Sequence, residues 1–397
     1  LPKYYIGPLI DREPEYSAMR NFTITTVWGI PIRINVSLVV FLPILAWLIG
    51  SGGQIEVYAG LIEGLTGEGF NLGVLRAGSM PWIIGILAAV GLFVSVTLHE
   101  LGHSWVALRY GLTIESITLW ILGGIAALGS IPKEWNKEFW IAIAGPVVSV
   151  GVGGGCYAIV LALPPSSNIV RFVFGWLAIV NITLAIFNLL PAFPMDGGRI
   201  LRAILARNRP YGSATRIAGR IGVIFAILFA VVGVMSFNVI LLLLALFIYG
   251  AATTESKTVL LDELLEGITV GDIMTRRPES VSASISVAEL VDRMIQDRQT
   301  FYPVSDADGR ITGVVALDDV RKVKADNRES TAVEAIKRDV SRIPSTADAF
   351  DTLTVLQGPG GVSALVEDQG QIVGLLSDAD YAHAMSIRKG FQSGVVW

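Results

Sequence analysis

Long uncharged apolar runs, separated by short polar breaks, fill roughly the first two thirds of the chain, and the pattern changes abruptly at Thr254. Val36–Gly50 is a first candidate span, which Ile30–Asn35 would lengthen toward the ~20 apolar residues a helix needs to cross hydrocarbon. Residues 51–80 are glycine-rich, set Glu56, Glu63 and Glu68 against Arg76 alone, and read as a loop with an interfacial helix. Pro81–Leu108, Phe139–Leu163, Ile169–Leu190, Ile217–Val234 and Val239–Ala251 bring the number of predicted spans to six. Ile117–Ile131 is apolar but too short and glycine-broken to span. Its two strand-like runs around Gly123-Gly124 predict a re-entrant β-hairpin, which membrane depth tolerates only beside a cavity or other protein.

Beyond Thr254 the residues are charged, rich in Asp and arranged as two similar halves. One half runs from Thr269-Val-Gly-Asp to Thr312-Gly-Val-Val-Ala-Leu-Asp-Asp; the other ends Ile372-Val-Gly-Leu-Leu-Ser-Asp-Ala-Asp380. Each reads as strand, helix, two strands and helix, and a repeat of about 60 residues indicates a tandem α/β module. The expected organisation is 1–18, disordered or expression-derived; 19–253, a polytopic α-helical membrane domain; 254–266, a linker; 267–392, the tandem module; and 393–397, a tail.

Composition supports the membrane assignment. The chain is 52% hydrophobic and 16% charged, against about 25% charged in soluble domains. A net charge of −4 without a basic run argues against nucleic acid as a partner. The single cysteine, Cys156, excludes an intrachain disulfide framework and any multi-cysteine zinc site, and reads as a packing residue. Arg199, Arg202, Arg207, Arg209, Arg216 and Arg220 crowd one inter-span segment, and Lys133, Lys137, Arg20 and Arg33 fall on the same side. The positive-inside rule then sends both termini to the cytoplasm.

Two of the three histidines, His99 and His103, lie four residues apart inside the second span. At about 100° per residue they share a helix face and can reach one metal, while Glu100 can overhang it without ligating it. A zinc hydrolase needs three protein ligands and an open position, with a base to take the proton of the attacking water. Asp196, the only acidic residue between Glu138 and Glu255, is the candidate third ligand, on backbone that Pro191, Pro194, Gly197 and Gly198 unwind. The plainer alternatives are two hydrogen-bonded histidines in a helix bundle and an Asp-Gly turn at a helix end.

With HELGH at 99–103, NLLPAFPMDGGR at 188–199 and AGP at 144–146, the chain resembles the site-2 protease family of intramembrane zinc metalloproteases over roughly residues 20–250. The resemblance implies zinc on His99, His103 and Asp196, Glu100 as general base and acid, and Asn188 near the scissile carbonyl. It further implies that the strand around Gly123, Gly124 and Ile125 captures an unwound transmembrane substrate by β-augmentation. Met195 stands where the family often has Leu, a conservative difference. The tail resembles a pair of cystathionine-β-synthase (CBS) domains, which in many proteins bind ATP or AMP. Ser377 and Asp380 match the ribose-binding signature, whereas the first half keeps Asp319 but has Ala316 in place of the hydroxyl. That tail is either a nucleotide sensor or a docking module through which a homodimer forms. The rival to the protease reading is a transporter or channel with a CBS regulator, which would gain nothing from a glutamate at the offset of Glu100.

Overall fold

The structure, a computed structural model, describes residues 21–393 apart from 52, 122, 129–132, 277, 340 and 357–362. The expectations for residues 1–18, for the end of the hairpin at Ile131 and for the last four residues of the tail lie outside the described residues. The chain divides into two compact units that meet at Val259 and Leu260.

The first unit begins with strands β1 (Asn21–Val27) and β2 (Ile30–Asn35), joined by Trp28 and Gly29, both at positive φ as a tight hairpin turn requires. It continues with α1 (Val36–Gly50), α2 (Gln54–Thr66), α3 (Leu72–Leu75), α4 (Met80–Arg109), β3 (Ile114–Trp120) and β4 (Gly123–Leu128). Then follow α5 (Trp135–Ala162), α6 (Asn168–Asn188), α7 (Asp196–Ala206), α8 (Tyr211–Met235) and α9 (Val239–Leu265), the last running on toward the second unit. Five of these, α4, α5, α6, α8 and α9, are long and apolar enough to cross a membrane, or six spans result if α1 and α2, bent by 66° at their junction, count as one.

Ile30–Asn35 does not extend α1. Its I-P-I-R-I-N alternation has the two-residue period of a strand, with Ile30 and Ile32 buried and Arg33 and Asn35 turned outward. β2 pairs antiparallel with β1 and parallel with β3, and β3 pairs antiparallel with β4. The predicted hairpin is therefore half of a four-stranded sheet, order β1-β2-β3-β4, with β4 at an edge. Ile30, Ile32, Ile117 and Leu119 pack this sheet on Leu38 of α1 and on the Phe93–Leu101 stretch of α4. The 51–80 segment holds a helix as expected: α2 is thirteen residues long and buries Ile55, Ala59 and Ile62.

The helices approach closely where side chains are small. A Cβ on Gly85 of α4 would collide with the Ala46 carbonyl of α1, and one on Gly102 would lie 2.8 Å from Val148 Cγ2 of α5. Without a hydrophobic drive between helices in lipid, such close backbone contact supplies the dispersion energy. The outer faces keep large apolar side chains exposed, Val234 and Ile240 among them, as a lipid-facing surface requires.

The second unit repeats one α/β pattern. After α10 (Val270–Ile273) and β5 (Thr275–Arg276), the first copy runs β6 (Val281–Ser282), α11 (Val287–Asp297), β7 (Phe301–Ser305), β8 (Ile311–Ala316) and α12 (Leu317–Arg321). The second runs β9 (Arg342–Pro344), α13 (Ala349–Leu356), β10 (Ser363–Asp368), β11 (Gln371–Ser377) and α14 (Asp378–Ser393). In each copy the first strand pairs parallel with the second, which pairs antiparallel with the third. β5 crosses over to pair with β11, locking the start of the unit into its second sheet.

Candidate metal centre

α4 carries His99 and His103 one turn apart toward α5, and α5 fixes how each imidazole is turned. His103 Nδ1 lies 2.7 Å from the Ile141 carbonyl, which can only accept, so Nδ1 carries the proton and Nε2 keeps its lone pair free. His99 Nδ1 lies 2.9 Å from Ser149 Oγ. Both Nε2 atoms then face the same point, 3.1 Å apart.

Asp196 reaches that point from the opposite direction. α6 ends at Asn188, the chain turns through residues 189–195, and α7 starts at Asp196 itself. Gly197 and Gly198 are needed there, because a Cβ on Gly198 would sit 2.7 Å from the Phe193 nitrogen and one on Gly197 would strike the carbonyls of Leu189 and Leu190. Asp196 Oδ2 stands 3.2 Å from His99 Nε2 and 3.3 Å from His103 Nε2. Among the described residues this is the group of His, Cys, Asp and Glu side chains that could hold a metal.

The donor set fits zinc. Two neutral imidazole nitrogens and a carboxylate oxygen are zinc ligands, and tetrahedral zinc with bonds of about 2.0–2.1 Å separates its ligand atoms by roughly 3.3 Å. The triangle of 3.1, 3.2 and 3.3 Å matches that edge. Space is kept open by Gly145: a Cβ there would strike His103 Nε2 and lie 2.7 Å from His99 Nε2. His99 and Asp196 are 7% and 8% exposed, and such buried polar atoms demand partners.

Glu100 is half-buried, its carboxylate within electrostatic reach of both imidazoles and of Asp196. The edge strand β4 runs against it, since a Cβ on Gly124 would lie 2.9 Å from Glu100 Cδ and 3.0 Å from Oε1. Gly123 has φ 136°, which a side chain would strain. The side chain of Ile125 lies outside the described residues. Asn188 is half-buried at the last residue of α6, immediately before the turn to Asp196.

A second buried cluster secures α7. Arg202, 1% exposed, bonds Glu138 of α5 through Nε at 2.7 Å and Glu255 of α9 through Nη1 at 2.5 Å. Its guanidinium also stacks on Phe193 and Tyr211, 4.9 Å from each ring centre. Arg202 is therefore not a free loop cation of the kind a charge count assumes; two carboxylates occupy it. Ser149 and this cluster have no counterpart among the sequence expectations, and Gly145 enters them only as part of the AGP motif. Ser149 had one signal, standing a helical turn beyond Gly145 on the face of α5 that meets α4.

In the second unit, Ser377 and Asp380 meet: Asp380 Oδ2 accepts from Ser377 N at 2.8 Å and Oγ at 2.7 Å, and Oδ1 accepts from Thr275 at 2.8 Å. Asp319 is 4% exposed and engaged by Ala316 N, Lys322 and Arg338. His383 lies exposed on α14 and is not part of the His-His-Asp group.

The family model for peptidase family M50 matches residues 87–168 and 164–229, the part of the chain that holds the His-His-Asp group, and the CBS domain model matches residues 270–326. Zinc metalloprotease MJ0392 of Methanocaldococcus jannaschii is 34% identical over 364 residues, covering 91% of this chain and 95% of the relative. The chain belongs to peptidase family M50, the site-2 protease family. Another relative, Rip3 of Mycobacterium tuberculosis, is 37% identical over 324 residues, with 77% of this chain and 82% of the relative covered. A solved site-2 protease from Methanocaldococcus jannaschii shares 35% identity over 60% of this chain and 95% of its own, with a TM-score of 0.41. This M50 protein is thus a membrane-integral zinc metalloprotease that carries a CBS domain.

Proposed function

We propose that this protein is an intramembrane endopeptidase that hydrolyses a peptide bond within the transmembrane segment of a membrane-anchored substrate protein. The observation that carries the reading is the His99, His103 and Asp196 triangle beside Glu100, on a helix long and apolar enough to span the bilayer. His99, His103 and Asp196 are assigned as the metal ligands, with Ser149 and the Ile141 carbonyl holding the imidazoles in register. Zinc held there supplies Lewis acidity, polarising the scissile carbonyl and acidifying water to a pKa of about 7. Glu100 takes the proton of the attacking water and delivers it to the departing amine nitrogen. Asn188 presents its amide to the scissile carbonyl region.

A helical substrate must unwind before its carbonyl can be attacked. The free edge of β4 offers main-chain donors and acceptors to an extended segment, and the contact between Gly124 and Glu100 means that a strand added there passes the proposed base. β3 and β4 serve in this reading as a re-entrant element at the depth of the zinc, with six spans and both termini in the cytoplasm. The protease domain is assigned to residues 19–253, the linker to 254–266 and the tandem CBS pair to 267–392. The pair senses ATP or AMP through Ser377 and Asp380, with Asp319 in the first half, and supports a homodimer. In this reading any signal from the pair reaches the site through α9, whose Glu255 bonds Arg202 on the helix that begins with Asp196.

The test is purified full-length protein with a transmembrane reporter substrate, comparing wild type with Glu100→Gln. Equal zinc content with cleavage reduced at least ~100-fold is expected, the scale of lost general acid–base catalysis. Undiminished cleavage by the variant would remove Glu100 and, with it, the proposed mechanism.

A further inference from the structure

α8 and α9 form an antiparallel pair whose two ends differ in chemistry. At the turn end, a Cβ on Gly233 would touch Leu242, and the exposed residues are Met235, Phe237 and Val239, all uncharged. At the other end, Gly219 and Gly222 of α8 meet Ser256 and Ala252 of α9. Beside that close crossing lies an open groove of about 510 Å³. Arg216, Arg220 and Lys257 contribute three cations to its lining, which contains no acidic side chain. Arg216 and Arg220 are four residues apart and share one face of α8. Val223 and Ile224 line the same groove, and the apolar face continues along α8 through exposed Ile227, Leu228 and Val231.

The cations stand where both helices leave their apolar stretch, Ile221–Met235 in α8 and Val239–Ala252 in α9. That is the level at which hydrocarbon gives way to headgroups. An inorganic anion would match the charge but not the apolar wall, and a neutral lipid would match the wall but offer no negative charge to Arg220 and Lys257. A basic pocket between spans at the headgroup level is the environment an anionic lipid needs. We propose that the α8–α9 groove binds an anionic phospholipid, its phosphate and headgroup on Arg220 and Lys257 and an acyl chain along Val223, Ile224 and the face beyond them.

Full-length protein in detergent micelles, titrated with phosphatidylglycerol, phosphatidylcholine or inorganic phosphate and read by native mass spectrometry, tests the assignment. Wild type should retain phosphatidylglycerol in preference to phosphatidylcholine, and inorganic phosphate should not displace it. R220Q/K257Q should weaken phosphatidylglycerol binding about 5-fold per cation removed, the equivalent of ~1 kcal/mol for each. R220K, which preserves the charge, should bind as wild type does. The proposal is overturned if wild type shows no preference between the lipids, if phosphate competes, if R220Q/K257Q binds phosphatidylglycerol undiminished, or if R220K loses as much as R220Q/K257Q.

Discussion

Asp196 and Asp380 both lie in the first turn of a helix, yet the two units use them in opposite ways. Asp380 turns back on its own helix start, accepting from the backbone and hydroxyl of Ser377, and Asp319 does the same for Ala316. These are cap bonds, satisfying N–H groups that the helix leaves without partners. Asp196 opens α7 but directs its carboxylate across to the imidazoles of α4. The turn before α7 makes this geometry: Met195 N bonds the Ala192 carbonyl and Gly198 N bonds the Met195 carbonyl, so backbone atoms supply caps that a side chain supplies elsewhere. In the membrane unit the buried carboxylate of Asp196 meets two imidazoles, whereas Asp380 is satisfied by nearby backbone and hydroxyl groups; Asp319, itself buried, adds Lys322 and Arg338 to its cap bond. The role of an aspartate at a helix start therefore follows from what its unit leaves unsatisfied.

The sharpest way to break that comparison is to remove both carboxylates. Asp196→Ala should lose bound zinc, with metal affinity down by more than the ~100-fold seen for residues that only orient ligands. Asp380→Ala should leave zinc stoichiometry unchanged and cost about 1 kcal/mol of local stability, the value of a lost cap. Metal analysis of the two purified variants reads the difference. Full zinc retention in Asp196→Ala would return Asp196 to the role of a turn residue.

Ion pairs carry the same contrast at a smaller scale. Arg202 and Glu138 are buried at 1% and 4% exposure, while Arg321 and Asp318 in the second unit are paired on an open surface. Arg202→Met leaves Glu138 and Glu255 without their shared cation and should destabilise the protein by about 3–5 kcal/mol, with partial recovery when the more buried Glu138 is also replaced by Met. Arg321→Ala should cost less than ~1 kcal/mol. Thermal unfolding in one detergent compares all three, and an Arg202→Met variant as stable as Arg321→Ala would show that burial does not separate the two pairs.

These differences also mark what could be read from sequence. The long helices were legible because uncharged runs leave little choice in lipid, and His99, His103 and Asp196 stood out because polar groups are scarce there. Local hydropathy alone assigns β2 to a span, because its partner strand β3 is remote in the chain and pairing decides its form. Ser149 is hidden, and the role of Gly145 in the AGP motif is not legible, because a serine and a glycine in an apolar helix are ordinary packing residues until a histidine is set against them. Arg202 reads as one more loop cation since nothing local in the sequence links it to Glu138 or Glu255. The segment between α6 and α7 was legible as broken backbone, but not the direction in which it aims Asp196.

The mildest expected effect concerns Asp272, an exposed carboxylate at the start of α10. Its Oδ2 accepts from Thr269 N at 2.9 Å and Thr269 Oγ1 at 2.7 Å, and these bonds hold its carboxyl below the usual aspartate range. A carboxylate depressed in the folded state stabilises fully above its unfolded pKa of about 3.9 and loses that contribution as pH falls through its folded value. Asp272→Asn should therefore reduce protection of the Thr269 amide at neutral pH by the equivalent of roughly 0.3–1 kcal/mol, the range for exposed charges at helix ends. The gap between wild type and variant should hold down to about pH 5 and close below about pH 4. Hydrogen exchange on the full chain measures it, and a gap that widens on acidification would mean that the carboxylate is not the stabilising form. Such a result would dissolve the distinction drawn above, because it would give the C-terminal unit an aspartate that helps by being neutral.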